Sequence, residues 1–195
     1  MDEAAFLSRA NCDDAVRAYH AYHEAEQDTA VVQKIGRGQN RTAYLVGGIV
    51  YKMDGWPPEN VHDHQILQRA RRAGMPWAPP SALFELEDSN GRKEYVMAMP
   101  YFVNDGSAPD PEAMALMRAQ TNNQPGDTNY RVVEGKPIVI DAGDIEKDDL
   151  GFCQRPTAVD GDGQPTATCR APAAVVRFGH RVRLLCAACA STQGR

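Results

Sequence analysis

The feature that most constrains the fold of this chain is an abrupt change in composition near Leu150 and Gly151. Residues 151–195 contain four of the five cysteines and six arginines but no lysine, and they carry a net charge of +4. The other 150 residues carry a charge of −9, and the whole chain carries −5. A simultaneous change of charge sign and cysteine content predicts a module boundary. We therefore expect a main domain followed by a small cysteine-containing module.

The composition of the whole chain excludes several classes of protein. Hydrophobic residues make up 43% and charged residues 24%, so a buried core is feasible. The acidic net charge disfavours a protein devoted wholly to nucleic-acid binding. No uninterrupted apolar run is long enough to span a membrane, and the acidic N-terminus does not resemble a signal peptide. We expect a cytoplasmic protein with no membrane partner.

The spacing of four cysteines predicts a structural zinc site. Cys186 and Cys189 form a CxxC pair, Cys169 lies 16 intervening residues upstream, and Cys153 lies 15 before that. In a reducing compartment such cysteines are more often metal ligands than disulfides, and four thiolates form a closed tetrahedral zinc site. His180 is the alternative ligand if Cys153 is not used. We expect metal binding to supply the folding energy of so short a module.

The β-prone runs 175–178 and 181–185 predict a hairpin between Cys169 and the CxxC pair. In this arrangement the module resembles the zinc ribbons found in many bacterial and phage proteins. Its arginines suit contact with nucleic-acid phosphates or with an acidic protein partner, and the alternative is a solvated face that keeps the module soluble. These arginines are Arg170, Arg177, Arg181 and Arg183.

The main domain has the pattern of an α+β fold with an antiparallel sheet and one packed helix. Three short β-rich runs fill residues 31–54, a helical period follows over 59–73, and two further strands precede a reduced helical part. A short helix is expected near 111–120, and a hairpin near 130–141. The predicted parts are therefore a helical N-terminal segment, the main domain and the cysteine module, over residues 1–30, 31–150 and 151–195.

Two glycines and one lysine predict a phosphate-binding arrangement. The loop Gly36-Arg-Gly38 lacks Cβ atoms at two positions, so its backbone N–H groups can approach a phosphate closely. Lys52, in the run Ile-Val-Tyr-Lys, can then reach the phosphate oxygens from a neighbouring strand. The alternative for this lysine is an ion pair with Asp63 that fixes the helix on the sheet.

With these motifs in this order, the chain resembles the protein-kinase-like superfamily over about residues 31–144. The resemblance implies that Ile35–Arg41 is a glycine-rich loop over the phosphates of ATP. It also implies that Lys52 binds phosphate and that Asp63 replaces the helix glutamate that pairs with this lysine. Tyr95–Phe102 resembles the strand that leads into the adenine-binding hinge.

The resemblance continues into the expected magnesium ligands but fails at the catalytic base. Pro137–Gly143 resembles the strand and Asp-Phe-Gly motif of the family, which implies that Asp141 and Asn129 bind Mg²⁺. The position five residues before Asn129 is Gln124, and glutamine cannot accept the proton of an attacking hydroxyl. Asp127 is the nearest carboxylate, but two residues from Asn129 is the wrong geometry for the family's base. The large helical lobe of the family is also strongly reduced.

These departures favour a degenerate or minimal kinase-like protein. We expect a regulatory or interaction protein of the pseudokinase type, with or without bound nucleotide, that holds a protein partner through its zinc module. This interpretation requires Lys52 and Asp141 to meet across one cleft. One alternative is an active minimal ATP-dependent phosphotransferase that uses Asp127 or Asp144. A second alternative is a nucleic-acid-binding accessory protein that acts through the basic module. The Arg, Ala and Gly bias is typical of a bacterial or phage sequence.

Overall fold

The computed structural model describes residues 2–24, 31–38, 40–54, 58–121, 126–143, 145, 150, 156–159, 165–168, 174–178, 181–185 and 188–189. Contacts between Cα atoms divide the chain into two compact units. The first comprises Met1–Arg71 and Ala78–Val103, and the second comprises Arg72–Trp77 and Asn104–Arg195. The fold class is mixed α+β, as predicted. The boundary predicted near residue 150 adjoins residues outside the described ranges, and it stays a prediction.

The first unit contains a five-stranded antiparallel sheet. Among its described residues, two helices precede the first strand in the chain, and a third connects the third strand to the fourth. The elements are α1 (Glu3–Leu7), α2 (Cys12–His23), β1 (Val32–Arg37), β2 (Arg41–Val46), β3 (Ile49–Asp54), α3 (Pro58–Arg72), β4 (Ala82–Glu87) and β5 (Lys93–Pro100). The strand order in the sheet is β1-β2-β3-β5-β4, so β5 lies between β3 and β4. The predicted order of three strands, a helix and two strands is confirmed.

Helix α2 covers one face of this sheet through small side chains. Asn11 caps the helix, because its side chain accepts a hydrogen bond from the Asp14 amide. The buried face of α2 consists of three alanines: Ala15, Ala18 and Ala21. They pack in one core with Tyr51 and Met53 of the central strand. Val16 and Tyr19, which are larger and lie at helical spacing in the sequence, are only half-buried.

In the described residues of the second unit, the elements are one longer helix and three hairpins. Its elements are α4 (Pro111–Gln120), β6 (Tyr130–Val133), β7 (Lys136–Val139), β8 (Pro156–Val159), β9 (Pro165–Thr168), β10 (Ala174–Phe178) and β11 (Arg181–Leu185). The pairs β6–β7, β8–β9 and β10–β11 are all antiparallel. The β10–β11 hairpin lies where the sequence predicts one, and the β8–β9 hairpin was not predicted.

The loop before α4 holds the tight turn of the β6–β7 hairpin. Glu134 and Gly135 form this turn with positive φ angles of 51° and 75°. The Asp105 carboxylate accepts the Glu134 amide at 2.6 Å, and the Ser107 hydroxyl accepts the Gly135 amide at 2.8 Å. Hydrogen bonds from the Glu134 amide and from Ser107 lower the pKa of Asp105 to about 2. In the ranges that the structure describes, no helix is both long and apolar enough to cross a membrane.

Candidate functional site

Lys52 lies on β3, the central strand of the sheet, whose six residues are all buried. Side chains alternate along a strand, so Tyr51 and Met53 point to the face that α2 covers. Lys52 and Asp54 point to the opposite face, where α3 packs. The Lys52 side chain is only 10% exposed. An ammonium group buried to this extent requires a counter-charge.

Asp63 of α3 supplies that charge to two cations at once. Its side chain is fully buried, and its Oδ2 atom lies 3.8 Å from Lys52 Nζ and 2.6 Å from Arg41 Nη1. Arg41 begins β2 and pairs in register with Asp54, so it shares the α3 face of the sheet. The ion pair predicted between Lys52 and Asp63 is therefore present, and Arg41 is the closer cation.

A second carboxylate on α3 ties the glycine loop to the helix. Glu59 lies one turn before Asp63, and its Oε1 accepts a hydrogen bond from Asn40 Nδ2 at 2.6 Å. Its other oxygen lies 3.5 Å from Arg41 Nε. Asn40 and Arg41 are the last two residues of the glycine-rich segment Ile35–Arg41. The end of that loop is therefore fixed to the same helix that holds the Lys52 counter-charge.

Asn60 and Asp54 join the first turn of α3 to the central strand. The Asn60 amide N–H donates to Asp54 Oδ2 at 2.6 Å. The Asn60 side-chain Nδ2 donates to the carbonyls of Lys52 and Tyr95, each at 2.8 Å. Burial raises the pKa of Asp54 to about 6, although the Asn60 N–H and the nearby Arg41 guanidinium favour its charged form.

The predicted loop Gly36-Arg-Gly38 is in part strand: Gly36 lies in β1 and pairs with Ala43, so only Gly38 lies beyond the strand. Gly36 follows a bulge in the β1–β2 ladder, and a Cβ added there would meet no atom within 4 Å. The Gly38 amide donates to the Arg41 carbonyl at 2.7 Å, and an added Cβ would lie 3.7 Å from that oxygen. Neither glycine has a positive φ angle. Neither conformation nor packing requires glycine at Gly36, and the space beside its Cα is open.

The expected magnesium ligands Asn129 and Asp141 adjoin each other in the second unit. Asn129 immediately precedes β6, and its carbonyl accepts the amides of Ile140 and Asp141 at 2.8 and 3.1 Å, just after β7. Both side chains are half-buried. The Asp141 Oδ1 atom accepts the Gly143 amide at 3.2 Å. The hairpin thus brings together two residues that are distant in sequence, and both carry oxygen ligands.

The remaining predicted site residues are exposed or lie outside the described ranges. Asp127 is exposed, and its Oδ1 accepts a hydrogen bond from the Tyr130 hydroxyl at 3.3 Å. Among the predicted zinc ligands the structure describes only Cys189, which is half-buried. The described residues contain no group of three or more His, Cys, Asp or Glu side chains arranged to hold a metal. The predicted residues outside the description are Gln124, Asp144, Cys153, Cys169, Arg170, His180 and Cys186.

Three residues that surround Lys52 and Asp63 were not predicted from the sequence as individual site residues: Arg41, Asp54 and Asn60. A signal for the first two exists in the Gly47-Gly48 turn. In a two-residue hairpin, counting outward from the turn places Arg41 opposite Asp54, and this is the observed register. No comparable local signal exists for Asn60, because its partners belong to two different strands.

Comparison of the chain with protein-family models and with curated proteins finds no match. The function is therefore argued from the geometry of these residues.

Proposed function

We propose that this chain is a kinase-like regulatory or interaction protein that binds a nucleotide. The observation that carries the proposal is the 3.8 Å contact between Lys52 on the third strand and Asp63 on the following helix. A strand lysine held by a helix carboxylate, next to a glycine loop, is the phosphate-binding arrangement of protein kinases. The antiparallel sheet and the order of its elements agree with the same resemblance.

The glycine loop supports the same proposal. The residues that follow it are fastened to α3 through Asn40 and Arg41, while Gly36 keeps open space above its backbone. Open space beside a glycine leaves room for a phosphate near the backbone, while the Gly38 amide itself is bonded to the Arg41 carbonyl. Lys52 would supply the cation for such a phosphate.

Asn129 and Asp141 fit the metal that accompanies ATP. Mg²⁺ prefers oxygen ligands and is commonly held by one or two protein groups together with nucleotide phosphates. Backbone hydrogen bonds bring Asn129, just before β6, next to Asp141, just after β7, so an amide and a carboxylate side chain start from adjoining positions. We assign the magnesium to these two residues.

Isothermal titration of the purified protein with Mg-ATP tests nucleotide binding. We expect the wild type to bind, and both Lys52→Ala and Asp141→Ala to weaken binding by roughly tenfold or more. Lys93→Ala is the matched control, because Lys93 also lies on this sheet and pairs with a carboxylate, Glu85, at 2.6 Å, but both side chains are exposed. Absence of heat with the wild type, or equal losses in Lys52→Ala and Lys93→Ala, would refute the proposal.

An active phosphotransferase is the second candidate, and the adjacency of Asn129 and Asp141 favours it. Asp127, two residues before Asn129, would then act as the base, since it is the carboxylate nearest in sequence to Gln124, which occupies the position of the family's base. We would expect Asp127→Asn to abolish the conversion of ATP to ADP while leaving ATP affinity unchanged. Binding without turnover in the wild type would leave only the regulatory role.

The proposed regulatory role includes a structural zinc in the cysteine module, which presents a surface to a protein partner. Elemental analysis of protein purified without chelator should give one zinc per chain, and Cys186→Ser should lose it. Cys12→Ser is the control, since Cys12 lies exposed in the first turn of α2. Zinc-free wild-type protein would overturn this part of the proposal.

A further inference from the structure

Asn60 lies at the point where the pairing between β3 and β5 stops. The last paired residues are Lys52 and Met97, although β3 continues to Asp54. At this end of the ladder, the Asn60 side-chain amide binds the carbonyls of Lys52 and Tyr95, each at 2.8 Å. One side-chain nitrogen thus closes the end of the ladder and uses both of its hydrogens to do so. Two carbonyl acceptors also establish which atom of the amide is nitrogen.

The Asn60 contacts converge on the same segment of strand as the ion pair. Asn60 is fully buried, its backbone N–H binds the Asp54 carboxylate, and its side chain binds the Lys52 carbonyl. Asp63 follows one helical turn later and contacts the Lys52 ammonium. Lys52 is therefore held twice by α3, by its backbone through Asn60 and by its side chain through Asp63.

We propose that Asn60 is a positioning residue, which fixes α3 on the sheet and thereby sets the distance between Lys52 and Asp63. Side-chain and backbone hydrogen bonds from one buried residue leave the first turn of the helix little freedom to slide along β3. Without them, this fixation of the first turn is lost, while Asp63 keeps its ion pairs with Arg41 and Lys52. That Lys52 then serves a nucleotide rests on the proposed function, whereas the positioning itself does not.

The test uses the ammonium resonance of Lys52 in the full chain without nucleotide, assigned by its loss in Lys52→Ala. In Asn60→Ala we expect this resonance to shift and to exchange faster with water, because Asp63 no longer stays in place. Tyr44→Phe is the control: it removes the buried hydrogen bond from the Tyr44 hydroxyl to the Ala21 carbonyl on the opposite face of the sheet. It should leave the Lys52 resonance unchanged.

If Asn60→Ala does not fold, the same spectrum of Asn60→Ser decides, since serine keeps one donor and should show a smaller shift. An unchanged Lys52 resonance in either folded Asn60 variant would overturn the proposal. If the wild type also binds Mg-ATP, Asn60→Ala should weaken binding by roughly tenfold, and Tyr44→Phe should not. Failure of the wild type to bind ATP would refute the nucleotide function and leave the positioning to be judged by the resonance.

Discussion

Asp54 should make the first unit more stable at mildly acidic pH than at neutral pH. Burial raises its pKa from 3.8 to about 6, so the folded state holds the proton more tightly than the unfolded state. Stability therefore falls as pH rises from about 4 to 6, because the folded chain must then bury an ionised carboxylate. Asp54→Asn is neutral at every pH and can still accept the Asn60 N–H, so it should lack this dependence.

The shift of about two pKa units sets the size of the effect. At 1.36 kcal/mol per unit it corresponds to about 3 kcal/mol, and solvent screening at the edge of the cluster reduces this to about 1–3 kcal/mol. The charged groups around Asp54 are Arg41 on β2, Lys52 on its own strand, and Glu59 and Asp63 on α3. Arg41 favours the charged form of Asp54, whereas the two acids oppose it.

Urea denaturation followed by circular dichroism, at several pH values between about 4 and 7, measures this effect. The free energy of unfolding of the wild type minus that of Asp54→Asn should decrease as pH rises. Asp88→Asn is a control of opposite sign, because amides of Arg92 and Asn90 lower the pKa of Asp88. If the free energy of unfolding of the wild type minus that of Asp54→Asn stays constant or increases with pH, the reasoning about Asp54 is refuted.

Two further predictions concern the ion pairs and the glycines. Arg41→Met should lower the free energy of unfolding by about 3–5 kcal/mol, because Asp63 loses its closer cation, at 2.6 Å. Lys52→Met should lower it by less, because Asp63 keeps Arg41. Equal losses in urea denaturation would contradict this. Gly47→Ala should cost about 1–2 kcal/mol because its φ angle is +57°, whereas Gly36→Ala should change stability by less than about 0.5 kcal/mol. Thermal unfolding that ranks the two alanine variants in the opposite order would contradict this interpretation.

Local signals in the sequence were sufficient for most of the elements. Helix α4 spans Pro111–Gln120 as expected, because Asp110 caps it and proline suits its first position. The Gly47-Gly48 turn fixed the β2–β3 hairpin, since two residues with positive φ angles are what a two-residue hairpin loop requires. Such signals act within a few residues, so they can be recognised before the tertiary structure is known.

The interior of the site could be predicted only in part. The Lys52–Asp63 pair followed from a resemblance, but the sharing of Asp63 with Arg41 depends on how β2, β3 and α3 meet. The closure of the β3–β5 ladder by Asn60 depends equally on two strands and a helix that are separate in sequence. Helical periodicity identified α2 but not its buried face, because the close approach of a sheet selects small side chains over apolar ones of larger volume.

The alanine face of α2 means that this helix is an integral layer of the first unit rather than an appendage. It shields aromatic and sulfur-containing side chains of the central strand from water. A truncated protein beginning at Val31 would leave that surface bare, and exposed apolar sheet surface promotes self-association. The shortest soluble fragment that contains Lys52 and Asp63 should therefore begin before residue 12.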